Sequence, residues 1–135
     1  MVVKKLWFEN ERIYIETDDC RVLWQSVWYY QRLRVATEAQ RNAYELGMFG
    51  IHWEEIDEDI SYESFEYENP EPSALSRFFL MHPEINVSAV ARRMGMPQSL
   101  LAQYIRGVKK PSEERVKMIL QTVHEIGNEL SKANF

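Results

Sequence analysis

The chain has 135 residues, of which 45% are hydrophobic and 13% aromatic, and its formal net charge is −5. This length fits one domain or two very small ones, and the apolar content excludes a disordered chain. No apolar run approaches the ~18 residues that a membrane helix needs, and the first residues reach Glu9 and Glu11 without the apolar stretch of a secretory signal. We therefore expect a cytoplasmic protein with no membrane partner. The single Cys20 excludes an internal disulfide and argues against a cysteine-based zinc site.

Charge is divided unevenly along the chain. Residues 1–71 contain seven basic and sixteen acidic side chains, a net charge of −9, whereas residues 72–135 contain nine basic and five acidic side chains, a net charge of +4. Such a division indicates two units with different partners, and only the second would attract a polyanion.

The first part of the chain has the pattern of strands joined by tight turns. The segments KKLWFE, RIYIE and RVLWQSV alternate partly with period two and are rich in Val, Ile, Trp and Tyr. Thr37 has the character of an N-cap and predicts a helix through about Tyr44, which Gly47 and Gly50 would end. Residues 51–56 are expected to be strand or loop, and residues 60–65 a short final element. These signals predict a small antiparallel sheet plus helices.

The sequence pattern changes at residues 66–73, EYENPEPS. This segment contains two prolines and predicts a linker. Beyond it the patterns are helical only: LSRFFLMH, VSAVARRMG, QSLLAQYIRG, and a long last helix capped by Ser112. We therefore predict an α+β domain over residues 1–70 and an all-α domain over residues 71–135.

The stretch GIHWEEIDEDISYESF, residues 51–66, raises the question of a metal or catalytic site. A calcium loop beginning at Asp57 would need glycine where Tyr62 stands, and His52 has no second histidine four residues away. We expect no metal site, no catalytic residue and no cofactor. Two interpretations stay open: a solvated acidic face over buried apolar residues, or a docking surface for a basic protein partner. The docking side chains would be Glu54, Glu55, Asp57, Glu58 and Asp59.

The segments DDCRVLW, ATEAQRNAYE and GIHW followed by DEDIS resemble a bacterial family of uncharacterised small α+β domains over residues 3–66. The resemblance implies a domain without an assigned enzymatic activity. Members of that family have glycine where this chain has Cys20, so we expect a different turn type at this point.

A second pattern lies in NVSAVARRMGMPQSLLAQYIRGVKKPS, residues 86–112. Asn86 can cap a short helix that Gly95 ends, because glycine adopts a left-handed conformation most easily. Pro97 can begin a second helix, where its missing N–H is not needed, and Gly107 can end it. Ala91 is small enough to let the two helices cross closely.

This spacing resembles the lambda-repressor/Cro-like helix-turn-helix family over about residues 74–120. Two positions depart from the family pattern, Val87 in place of a phosphate-binding glutamine and Ile105 in place of a polar residue. The residues that carry the resemblance are Ala91, Gly95, Ser99, Leu101, Tyr104, Gly107, Lys109, Pro111 and Ser112.

The resemblance implies double-stranded DNA as a partner, with the second helix in the major groove. The side chains expected to read bases are Gln98, Ser99 and Gln103, since glutamine can bind adenine through two hydrogen bonds. Phosphate contacts set affinity and register rather than sequence preference. The side chains expected to make them are Arg92, Arg93, Arg106, Lys109 and Lys110.

We therefore expect a non-enzymatic, sequence-specific transcription regulator that represses its own operon. It would bind DNA as a homodimer, through the long last helix or the first domain. The resemblance of the first domain further implies an antitoxin-like role with a toxin-like protein partner. The alternative is a protein-interaction module whose acidic first domain binds a basic partner while the helical domain is a scaffold.

Overall fold

The computed structural model describes residues 1–67 and 71–135, which form two compact units, Met1–Glu71 and Pro72–Phe135. The first unit contains antiparallel sheets and short helices, and the second contains four α-helices and no strand among the described residues. The prediction of an α+β part followed by an all-α part is confirmed. The predicted linker, residues 66–73, includes residues 68–70, which lie outside the described residues.

The first sheet has strand order β1-β2-β3 and is antiparallel throughout. Its strands are β1 (Val3–Glu9), β2 (Arg12–Thr17) and β3 (Val22–Ser26), which confirms the three predicted strands. Asn10 and Glu11 connect β1 to β2 with φ values of 51° and 61°, the left-handed pair that suits a tight hairpin turn.

Two short α-helices, two 3-10 helices (Val27–Tyr29 and Glu63–Glu66) and a second sheet complete the unit. The α-helices and strands are α1 (Gln31–Arg34), α2 (Glu38–Asn42), β4 (Glu45–Leu46), β5 (Gly50–Trp53) and β6 (Glu58–Ser61). The predicted N-cap is confirmed, because the Thr37 side chain accepts a hydrogen bond from the Gln40 backbone N–H at 3.1 Å. The predicted helix is present but ends at Asn42, two residues before the expected end at about Tyr44, because the chain then enters β4. Gly47 and Gly50 flank the β4–β5 turn instead of ending a helix.

One apolar core lies beneath both sheets of the first unit. Gln25 is buried within this unit and has both ends of its side chain satisfied. Its Oε1 accepts from the Tyr30 hydroxyl at 2.6 Å, and its Nε2 donates to Ser64 Oγ at 2.8 Å. The buried residues of the core are Leu6, Ile13, Ile15, Val27, Leu33, Ile51, Trp53, Ile60, Tyr62 and Phe65.

The second unit consists of α3 (Ala74–Met81), α4 (Val87–Met94), α5 (Gln98–Ile105) and α6 (Glu113–Ser131). Ser73, Asn86 and Ser112 cap α3, α4 and α6, each with its side chain accepting a backbone N–H. Among the described residues, no helix has the length and apolar content required to cross a membrane. The buried residues of this core are Phe79, Val90, Ala91, Met96, Leu101, Tyr104, Ile105 and Ile119.

A buried hydroxyl joins α3 to α5. The Ser76 side chain is 1% exposed and donates to the Tyr104 carbonyl oxygen at 3.3 Å. That carbonyl belongs to the last turn of α5, where the Gly107 N–H is its other partner, at 3.2 Å. The bond therefore fixes the end of α5 against α3.

Candidate functional site

A tight turn joins α4 to α5. Gly95 has φ 72°, and its N–H donates to the Arg92 carbonyl at 3.0 Å, while the Met96 N–H donates to the Ala91 carbonyl at 3.0 Å. These two bonds form a Schellman arrangement that satisfies the last carbonyls of α4. Gly95 thus ends the helix as predicted, and Pro97 is the N-cap of α5 rather than its first helical residue.

The end of α5 repeats this geometry. Gly107 has φ 76° and donates its N–H to the Tyr104 carbonyl at 3.2 Å, and the Val108 N–H donates to the Gln103 carbonyl at 3.0 Å. The same Schellman arrangement turns the chain sharply away from the helix axis. Lys109 and Lys110 follow at once and are both exposed.

Helix α5 has one buried side and one polar side. Leu101, Tyr104 and Ile105 are buried, whereas Gln98 and Ser99 are exposed and Gln103 is half-buried. Gln98 and Ser99 are adjacent in the first turn, and Ser99 and Gln103 lie four residues apart, on the same face of the helix. Within the described residues their side chains form no hydrogen bond or ion pair, so they are free to meet a ligand.

The predicted phosphate-binding cations differ in their surroundings. Arg92, Arg106, Lys109 and Lys110 are exposed and form no ion pair with any described residue. Arg93 forms an ion pair with Glu129 of α6, and its Nη2 atom lies 2.6 Å from Glu129 Oε2. Sequence spacing gave no sign of this pair, which depends on how α6 packs on α4.

The predicted docking side chains surround the turn between β5 and β6. Asp57 closes this turn with φ 51° and donates its N–H to the Glu54 carbonyl at 3.3 Å. Arg32 Nη1 donates to the Asp57 carbonyl at 2.6 Å, and Gln40 Nε2 donates to Glu55 Oε1 at 3.1 Å. The acidic turn is therefore held by partners from the same unit.

His52 joins two of the acidic side chains. Its Nε2 lies 2.7 Å from Glu54 Oε2, and its Nδ1 lies 2.7 Å from Asp59 Oδ1. The hydrogen bond to Glu54, and then that to Asp59, raises the pKa of the imidazole above its ordinary value. The sequence shows the three residues but not their meeting, which requires the β5–β6 register that places His52 opposite Asp59.

Apolar side chains lie beneath this acidic surface. Ile51, Trp53, Ile60 and Phe65 are buried, and Ile56 is half-buried. In the part of the chain that the structure describes, no group of three or more His, Cys, Asp or Glu side chains is placed to hold a metal ion. The geometry is that of an acidic face over an apolar layer.

The model of one protein family, described as "Protein of unknown function (DUF2442)", matches residues 3–71. The chain belongs to this family. The match confirms the predicted resemblance of the N-terminal part to an uncharacterised family. No match to a helix-turn-helix family supports the second resemblance, which stays a prediction. No curated protein and no solved structure matches the chain.

One turn of the DUF2442 unit corrects the sequence interpretation. Cys20 follows Asp18 and Asp19 in the β2–β3 hairpin, and it has φ 65°. Its N–H donates to the Thr17 carbonyl at 3.0 Å, and the Thr17 N–H donates to the Arg21 carbonyl at 2.9 Å. A three-residue loop ending in a left-handed residue is a common hairpin connection. The expectation of a different turn type was therefore wrong: Cys20 adopts the conformation that glycine favours.

Proposed function

We propose that this DUF2442 chain is a non-enzymatic, sequence-specific DNA-binding transcription regulator. In this proposal α4 and α5 form a helix-turn-helix similar to that of the lambda-repressor/Cro-like family, and α5 enters the major groove. The observation that carries the proposal is the polar side of α5, where Gln98, Ser99 and Gln103 have no partner among the described residues.

The chemistry of these three side chains suits base edges. A glutamine amide can donate to adenine N7 and accept from adenine N6 at the same time, and a serine hydroxyl can do either. Gln98 and Ser99 occupy the first turn of α5, the part of a recognition helix that reaches deepest into the groove. Gln103 would extend the contact by about one further turn.

Cationic residues both precede and follow α5 in the chain. Arg106, Lys109 and Lys110 follow α5, and Arg92 precedes the turn that leads into it. The unit has a net charge of +4, so it would release counterions on binding a duplex. Arg93 would contact a phosphate only after its ion pair with Glu129 is broken. We therefore expect Arg93 to contribute less to DNA affinity than the other four cations.

A homodimer would complete the DNA site, because one short helix reads few bases and operators for such folds are two-fold symmetric. Helix α6 offers a surface for this purpose: Val123 and Ile126 are half-buried and Leu130 is 70% exposed. We further propose that the regulator represses its own operon and acts like an antitoxin, with a toxin-like partner bound by the DUF2442 unit.

Fluorescence anisotropy tests the proposal directly. The labelled probes are a duplex from upstream of the protein's own coding sequence and a scrambled duplex of the same composition, each at two salt concentrations. We expect tighter binding to the native duplex and an affinity that falls steeply with salt. Equal, weak binding to both duplexes would contradict the proposal and leave the helical unit as a scaffold.

A further inference from the structure

The turn between β4 and β5 presents two large apolar side chains to solvent. Met48 is 80% exposed and Phe49 is 81% exposed, and they are adjacent in sequence. Leu46, in the edge strand β4, is 42% exposed beside them. A single exposed apolar residue is ordinary, whereas two neighbours at the tip of one turn form a surface that water solvates poorly.

Three hydrogen bonds hold this turn in one conformation. The Gly47 N–H donates to the Gly50 carbonyl at 2.9 Å, and the Tyr62 N–H donates to the Phe49 carbonyl at 2.9 Å. The Tyr62 hydroxyl donates to the Gly47 carbonyl at 2.8 Å, and the Tyr62 ring is buried in the core. The turn is therefore preorganised, and a partner would lose little conformational entropy in ordering it.

Carboxylates border the apolar tip. Glu63 lines a surface groove together with Phe49 and Tyr62, whereas Glu45 lies further back in β4, opposite His52. Both glutamates are exposed and form no ion pair with any described residue. Glu66 lines the same groove and is paired with Arg21 at 3.0 Å. The unit as a whole has a net charge of −9.

This charge selects among the occupants that an apolar tip could have. A second copy of the tip would bring like charges together, and nucleic acid or an anionic lipid surface would be repelled by Glu63 and by the net charge of −9 on the unit. An apolar pocket bordered by lysine and arginine matches both features. We propose that the Met48–Phe49 turn is a docking surface for a protein partner of that chemistry.

The proposed surface differs from the acidic turn that the sequence indicated. The Met48–Phe49 turn precedes β5 and the acidic turn follows it, so the two lie at opposite ends of that strand. The acidic turn has its carboxylates partly engaged by His52 and Gln40, whereas Glu45 and Glu63 are unengaged among the described residues. The proposal is independent of DNA binding by the helical unit.

Selection from a displayed library of random peptides on the immobilised full chain tests the proposal. We expect the selected peptides to combine aromatic or aliphatic residues with lysine and arginine. Synthetic copies should bind the Phe49→Ser variant at least about 30-fold more weakly than the wild type, the loss typical of a central interface anchor. Glu63→Lys should weaken binding and reduce its salt dependence.

The matched control is Val35→Ser, which removes an apolar side chain that is 71% exposed elsewhere on the same unit. We expect it to bind the peptides as the wild type does. Because Phe49 is exposed, Phe49→Ser should also unfold at the wild-type urea concentration, which separates lost docking from lost structure.

Several results would overturn the proposal. They are a library that yields no binder, selected peptides that are acidic, and peptides whose affinity is unchanged by Phe49→Ser. Binding of the wild type to vesicles of phosphatidylcholine and phosphatidylglycerol, abolished by the same substitution, would show a membrane surface instead.

Discussion

His52 lies directly opposite Asp59 in the β5–β6 ladder, and its imidazole bridges Asp59 and Glu54 with both ring nitrogens 2.7 Å from a carboxylate oxygen. A neutral imidazole has one donor and one acceptor, so only the imidazolium can donate to both carboxylates. This geometry is the physical reason why the pKa of His52 is raised, first by Glu54 and then by Asp59.

We expect an NMR titration of His52 to give a pKa above the ordinary value of about 6.5. Because the folded-state pKa is raised, protonated His52 stabilises the unit fully below the unfolded-state pKa, and this stabilisation is lost as the pH rises through the folded-state pKa. The difference in free energy of unfolding between the wild type and His52→Gln should therefore shrink as the pH rises from the unfolded-state pKa through the folded-state pKa. Asp59→Asn should lower the His52 pKa, and an unchanged pKa in that variant would refute the bridge.

Cys20 adopts a left-handed conformation, φ 65°, that costs a residue with a Cβ about 1–2 kcal/mol. Cys20→Gly would relieve this strain, but glycine also loses more conformational entropy on folding. The net effect should be a free energy of unfolding that is higher by about 1 kcal/mol. All four tryptophans lie within residues 1–71, so urea unfolding followed by tryptophan fluorescence reports on this unit. Cys20→Ala keeps the strain and should give no gain.

Gly50 begins β5 where the backbone of β6 passes closely. A Cβ at this position would lie 2.6 Å from the Ile60 carbonyl oxygen and 3.0 Å from Ser61 Cα. Gly50→Ala should therefore destabilise the first unit by about 1–3 kcal/mol, as other overpacked sites do. Tryptophan fluorescence in urea would measure the loss. A variant as stable as the wild type would mean that the two strands separate without cost.

Gly95 and Gly127 make a matched pair in the helical unit, because an added Cβ at either position would lie in open space. Gly95 has φ 72°, so Gly95→Ala should cost about 1–2 kcal/mol. Gly127 lies inside α6, so Gly127→Ala should stabilise by up to about 1 kcal/mol. Unfolding of both variants can be followed by far-UV circular dichroism. Stability changes of the same sign would contradict the proposal that Gly95 needs positive φ whereas Gly127 does not.

The DNA proposal assigns different roles to Gln103 and Lys110. Gln103→Ala should reduce the preference for the native duplex by about 1–3 kcal/mol, since a base contact is lost. Lys110→Ala should weaken binding to native and scrambled duplexes alike and lower the salt slope by about one. Anisotropy titrations on both duplexes separate the two effects. Identical behaviour of the two variants would refute the assigned roles.

Local signals in the sequence predicted much of the fold. Thr37, Asn86 and Ser112 cap helices because their side chains satisfy backbone N–H groups a few residues away, and Gly95 ends α4 because it tolerates positive φ. Features of this kind depend on neighbours in the chain. Strand alternation likewise located β1, β2 and β3 closely.

Features that depend on strand pairing and on packing between elements were not predictable. The two-residue strand β4 is defined by its pairing with β5, which the sequence does not show. Without that pairing, Gly47 and Gly50 were interpreted as the end of a helix. The ion pair of Arg93 with Glu129 and the bridge formed by His52 arise from packing and register. The exposure of Met48 and Phe49 was not predicted either, because apolar side chains are normally assigned to a core.

The hydroxyl of Ser76 has a consequence for the direction in which α5 presents its side chains. Each residue advances a helix by about 100° around its axis, so a rotation of one position in the direction of Tyr104 would bring the half-buried Gln103 to the buried side of α5. The bond from Ser76 to the Tyr104 carbonyl resists such a rotation at the end of the helix. This polar group inside the core thus helps to hold, together with the buried Leu101 and Ile105, the direction in which the exposed side chains of α5 point.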